Sequence, residues 1–157
     1  MNLAIYIYLI YFIISVIVVI AFIKPKRIKE LLPVAVLSVL LLFSIELLLI
    51  KLDLYRFNNP IVSIGGVPLF LLLWGATSGI VVMQLMNGTF LKKVITILLL
   101  TLAVLGLESI SEYVNAASHL GKFNDIAEAF IDFITLVLLV WISEGLWGDR
   151  IHNKKSD

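Results

Sequence analysis

The 157-residue chain reads as an all-α, polytopic membrane protein: a five-transmembrane-helix bundle in a single domain over 1–157, with its N-terminus outside and its C-terminus cytoplasmic. Three observations predict this. The sequence is 61% hydrophobic with a mean hydropathy of +1.09, well above the roughly 45–50% apolar usage of soluble domains. It divides into five apolar runs, each near the roughly 20 residues that cross about 30 Å of hydrocarbon as a helix. Its lysines and arginines fall unequally on the two sets of connecting loops.

The first run, about 3–23, lacks a basic leader and a small-residue cleavage site. It is also longer than the roughly 7–15 apolar residues of a secretion signal, so it reads as a retained helix. Lys24-Pro25-Lys26-Arg27 ends it. The second run, about 31–50, is closed by the polar stretch from Lys51 to Pro60. The third, about 61–86, opens on Ser63-Ile64-Gly65-Gly66-Val67-Pro68 and stops at Asn87-Gly88. The fourth covers about 91–114, and Gly121-Lys122-Phe123-Asn124 separates it from the fifth, about 126–148. Asn124 and Asp125 are suited to cap that last helix, because short polar side chains accept from free N–H groups of a first turn.

The orientation follows from counting. Lys24, Lys26, Arg27, Lys29, Lys92, Lys93, Arg150, Lys154 and Lys155 lie on one side, nine in all, against Lys51, Arg56 and Lys122 on the other. The richer side is cytoplasmic by the positive-inside rule. The Asn87-Gly88-Thr89 sequon then falls on the cytoplasmic side, away from glycosylation. A net charge of +1 without a basic patch gives no footprint for nucleic acid. The absence of cysteine excludes disulfides, thiolate metal sites and cysteine nucleophiles. No G-x-S-x-G, H-E-x-x-H, P-loop or dinucleotide fingerprint is present.

The functional clue is a set of acids in or beside the apolar runs: Glu46, Glu108, Glu112, Glu128 and Asp132. A carboxylate at membrane depth costs roughly 2.5–3.5 kcal/mol on insertion scales, so such residues face protein or water and mark a site. In the predicted topology all five fall in the outer half of the membrane. Thr101, Glu108, Glu112, Asn115 and His119 are spaced by seven, four, three and four, which keeps them on one face by helical periodicity. Asp125, Glu128 and Asp132 share a face of the fifth. The competing expectation pairs these acids with Lys51, Arg56 or Lys122, or assigns Asp125 and Glu128 to the helix dipole.

Gly65, Gly66 and Pro68 either break the third helix at the same depth, where freed carbonyls would lie beside the carboxylates, or form an entry loop with Pro68 at the first turn of the helix. The combination suits a divalent cation, a proton pathway or a cationic head group. Gly75 and Gly79 form a G-x-x-x-G element for close helix packing, within the bundle or between copies. His119, in a predicted outer loop, and His152, in the tail, read as solvated, and Glu144 beside Trp141 and Trp147 as an interfacial residue.

The run Lys24-Pro25-Lys26-Arg27-Ile28-Lys29-Glu30, the acid of the second helix followed by Leu54-Tyr55-Arg56-Phe57, Val82-Met83-Gln84 before Leu91-Lys92-Lys93, and Glu108 together resemble an uncharacterised family of small five-helix membrane proteins of Gram-positive bacteria. That resemblance implies a topology and no activity. Asn124-Asp125-Ile126-Ala127-Glu128-Ala129-Phe130-Ile131-Asp132 is similar to the acidic motif of intramembrane prenyltransferases, with Glu128 in place of an aspartate. The likeness implies magnesium and a diphosphate held by Asn124, Asp125, Glu128 and Asp132, with Glu108 and Glu112 as a second motif. Those enzymes have about twice as many helices and the opposite motif order. Asp53-Leu54-Tyr55-Arg56-Phe57 with Gly66-Val67-Pro68-Leu69 resembles small carotenoid cyclases and hydratases, and Glu108 to Asp132 is similar to the VanZ-like membrane family.

Two function classes follow. One is an outward-facing intramembrane carboxylate cluster that binds a cation, a lipid or an isoprenoid, as a binding protein or as an isoprenoid- or carotenoid-modifying enzyme. Crowded carboxylates there cannot all ionise. The other is a non-enzymatic subunit among membrane lipids, packed as a homo-oligomer or against a larger membrane partner.

Overall fold

The computed structural model describes residues 3–86 and 88–152. Its helices are α1 Leu3–Phe22, α2 Pro25–Lys51, α3 Leu69–Leu85, α4 Phe90–Tyr113 and α5 Asp125–His152. Four short strands join them: β1 Tyr55–Phe57, β2 Ser63–Ile64, β3 Val67–Pro68 and β4 Ala117–His119. Leu3–Phe22, Pro25–Lys51, Phe90–Tyr113 and Asp125–Gly148 are long and apolar enough to cross a membrane. Asn87 of the predicted third turn, and Lys154 and Lys155 of the basic count, lie outside the described residues.

Two boundaries depart from the sequence expectation, each for a backbone reason. The third run is helical only from Leu69, so α3 has 17 residues and rises about 26 Å at 1.5 Å per residue. Gly65 and Gly66 sit at φ of 60° and 91° and turn residues 63–68 into the β2–β3 hairpin, with Pro68 directly preceding the helix. Only glycine takes such angles without steric cost. The second helix starts earlier than expected because Pro25, with its preset φ, is favoured in a first helical turn. α4 stops at Tyr113, close to the end of the predicted span at 114, and Asn115 at φ 60° reverses the chain. Asn115 and His119 therefore do not continue the helical stripe.

Packing is organised around α3, which lies against α1 and α2, while α4 packs on α5 and α5 also meets α2. One apolar cluster gathers Val19, Leu31, Val34, Met83, Leu139 and Val140 at one end of the bundle. The other gathers Tyr8, Tyr11, Tyr55, Phe57, Val67 and Leu71 under the strands. β1 pairs antiparallel with β4, setting Tyr55 opposite His119 and Phe57 opposite Ala117. That pairing ties the α2–α3 connection to the α4–α5 connection. Outward faces remain apolar, with Ile14, Ile17, Ile20, Leu99, Leu102 and Phe130 exposed.

The G-x-x-x-G face is used inside the chain. A Cβ on Gly75 would lie 2.6 Å from Leu42 Cδ2, and one on Gly79 would lie 2.6 Å from Ser38 Cβ. The Ser38 hydroxyl donates to the Gly75 carbonyl at 2.8 Å. This contact holds α2 and α3 closer than any side chain permits. Gly79→Leu should therefore force the two helices apart, an overpacking cost of about 1–3 kcal/mol. Thermal unfolding in detergent should show a lower midpoint than the parent, and an unchanged midpoint would mean that α2 and α3 do not meet this closely.

Candidate functional site

Glu46 lies five residues before the end of α2, about 8 Å along the helix. Glu108 is in the last turns of α4, and Asp132 is on the second turn of α5. Three different helices thus deliver one acid each to the strand-bearing end of the bundle. The three side chains line a single cavity of about 40 Å³, together with Tyr8, Tyr55 and Ser111. Four buried oxygens in this lining have no hydrogen-bond partner: Tyr8 Oη, Glu46 Oε2, Glu108 Oε2 and Asp132 Oδ2. No basic side chain lines the cavity among the described residues.

The walls are fixed by α1 and β1. The Tyr11 hydroxyl donates to the Leu107 carbonyl at 2.8 Å, and Ser111 donates to Tyr11 Oη at 3.3 Å. Tyr55 and Phe57 meet edge to face at 5.2 Å. Burial pushes the Tyr55 hydroxyl far above its ordinary pKa, so it lines the cavity as a neutral phenol.

A second polar centre lies towards the loops. His119 Nδ1 is 2.9 Å from Glu112 Oε1 and 3.5 Å from Asp125 Oδ1, while Nε2 is 2.9 Å from Glu128 Oε2. The His119 amide also donates to Glu112 Oε1 at 3.3 Å. Glu128 is buried, and Asp125 is exposed. The imidazole is held between Tyr55, with ring centres 5.5 Å apart, and Phe123, at 5.2 Å. Asn124 caps α5 by accepting from the Ala127 N–H at 3.0 Å, as its sequence position suggested.

The five candidate acids therefore separate into two groups. Glu46, Glu108 and Asp132 share the cavity; Glu112 and Glu128 face His119. Gly65, Gly66 and Pro68 do not line the cavity: the glycines rest on Phe43, Leu47 and Ile50 of α2 instead. Among the described residues none of Lys51, Arg56 and Lys122 makes an ion pair, so the expected pairing with the acids is absent. Glu144 is not merely interfacial, because it pairs with Lys93 across α4 and α5. Beside that pair a hollow of about 360 Å³ is lined by Phe90, Ile97, Phe133, Val137 and Trp141.

His119 is the residue that sequence reasoning passed over. Its signal was the ring of acids at 112, 125 and 128, which becomes visible once the chain is allowed to turn at Asn115. The side chain of His152 lies outside the residues whose burial is described. No family model, curated protein or solved structure matches the chain.

The geometry gives a stability expectation. In metal-free protein, His119→Phe keeps the aromatic packing but strands Glu128 in a buried position. Breaking a buried pair at one partner costs about 3–5 kcal/mol. Adding Glu128→Gln should recover part of that loss, as measured by denaturant unfolding of both variants. If the double variant is no more stable than His119→Phe alone, the His119–Glu128 contact carries no stabilising interaction.

Proposed function

We propose that this chain is a multi-pass cell-membrane protein whose five helices enclose a cation-binding cavity built from Glu46, Glu108 and Asp132. One observation carries the reading: carboxyl oxygens from three helices, all without partners, converge on one small cavity. Unpaired buried acceptors are costly, and a bundle that retains three of them around a void is arranged for something positive to enter. The donor set is oxygen only, which suits a hard ion such as magnesium, calcium or sodium. A volume of about 40 Å³ accommodates an ion or a few waters, since one water needs roughly 10–15 Å³ on this measure. An isoprenoid diphosphate does not fit that space, so the cation reading is preferred to the prenyl-transfer and carotenoid readings.

The test is the melting temperature of detergent-solubilised protein with added calcium or magnesium. Parent protein should be stabilised, because a ligand at 100 times its Kd contributes about 2.7 kcal/mol to the folded state. Glu108→Gln should lose that response while folding as well as the parent or better. The glutamine amide offers a donor to the neighbouring carboxylates, and one crowding charge is gone. A parent that ignores these ions, with a markedly destabilised Glu108→Gln, would reject the cation site.

The same reading places this cavity in the outer half of the membrane, supported by the bias of nine basic residues against three. The fifth span would then be α3 together with the β2–β3 hairpin. Lys122→Cys should react with an impermeant thiol reagent on intact cells, and Thr89→Cys only after lysis. Labelling of Thr89→Cys on intact cells would invert the topology.

A further inference from the structure

We infer that His119, Glu112 and Asp125 form a second, separate site, for a zinc-class transition metal, at the loop end of the bundle. Nδ1 of His119 and one carboxylate oxygen each from Glu112 and Asp125 all lie within 4.8 Å of one another. A tetrahedral ion at about 2.1 Å from each ligand needs ligand atoms about 3.4 Å apart. The observed separations from Nδ1 are 2.9 and 3.5 Å, so small side-chain movements seat an ion. Three ligands leave one position open to water or to a further group.

Three independent features distinguish this centre from an ordinary acidic surface. The first is the donor chemistry: an imidazole nitrogen joins the carboxylates, and imidazole selects zinc-class metals over magnesium or calcium. The second is orientation. Glu128, 5% exposed, meets the opposite ring nitrogen at 2.9 Å, which is how a carboxylate behind a metal-bound histidine fixes its tautomer and aims its free nitrogen. Tyr55 and Phe123 clamp the same ring edge-on. The third is charge: three carboxylates surround one imidazole, and no lysine or arginine pairs with them among the described residues. At 3.5 Å the Asp125 oxygen is also beyond a normal hydrogen bond to Nδ1. Its carboxylate is left without a strong partner in the cluster, on the open side where an ion would enter.

This site does not rest on the cation reading of the cavity, which uses different acids. Chelator-stripped, detergent-purified protein should bind one zinc ion per chain by titration calorimetry. Asp125→Asn, at an exposed position that leaves the fold intact, should weaken binding at least tenfold. His119→Ala should abolish it. Glu128→Gln should keep the stoichiometry and lose about 10–100-fold in affinity, the usual effect of removing a group that orients a ligand. Glu46→Gln and His152→Ala should bind zinc as the parent does, separating this site from the cavity and from the other histidine. No zinc binding by the parent, or equal affinity in the parent, His119→Ala and Asp125→Asn, would overturn the inference.

Discussion

The pairing of Tyr55–Phe57 with Ala117–His119 is the interaction on which the polar end of this bundle depends. Helices in an apolar surround satisfy their own backbones, so nothing in α2 or α4 requires their far ends to approach one another. Two connections do so here because their strands exchange hydrogen bonds in one register. The Asn58 amide N–H extends the tie by donating to the Ala116 carbonyl at 2.8 Å, and the Leu120 N–H donates to Leu54 at 2.8 Å. The register puts Tyr55 opposite His119, so the same contact closes the cavity on one side and aims the imidazole on the other.

Much of the helical plan was legible in composition and run length, because an apolar stretch of about 20 residues has few alternatives. The common level of Glu46, Glu108 and Asp132 along the bundle was legible for the same reason, because helical rise converts sequence position into distance along the axis. What could not be read was the sideways arrangement. Glu46, Glu108 and Asp132 are on three helices whose neighbours are chosen by packing, such as the approach of Gly75 and Gly79 to α2. Sequence spacing carries no information about that choice.

Two misreadings fall at turns. Carrying the polar period of α4 on to Asn115 and His119 gave them one helical face, although the span was expected to end near 114 and His119 to lie in a loop; Asn115 reverses the chain and delivers His119 to a strand. Placing the break at Gly65 and Gly66 at the depth of the acids put its carbonyls beside them, whereas the hairpin rests on the apolar side of α2, nearer the alternative of an entry loop before the helix. Asparagine tolerates the left-handed region better than most residues, which is a weak signal in sequence and a decisive one in structure.

Glu128 is the residue through which the two polar centres meet. Spacings of three and four place Asp125, Glu128 and Asp132 on one face of α5, with neighbours of this kind about 5–6 Å apart at Cβ. Glu128 therefore contacts His119 while standing one turn from Asp132, which lines the cavity with Glu108. A charge gained or lost at the loop centre is felt in the cavity, because unit charges at such separations interact by a few kcal/mol at an effective dielectric near 20. Substitutions at Glu128 consequently alter both centres at once. Asp125 and Glu46, at the outer and inner ends of the array, are the positions where one centre can be changed with least effect on the other. The sequence marks both ends: Asp125 beside the capping Asn124, and Glu46 alone in the apolar interior of α2.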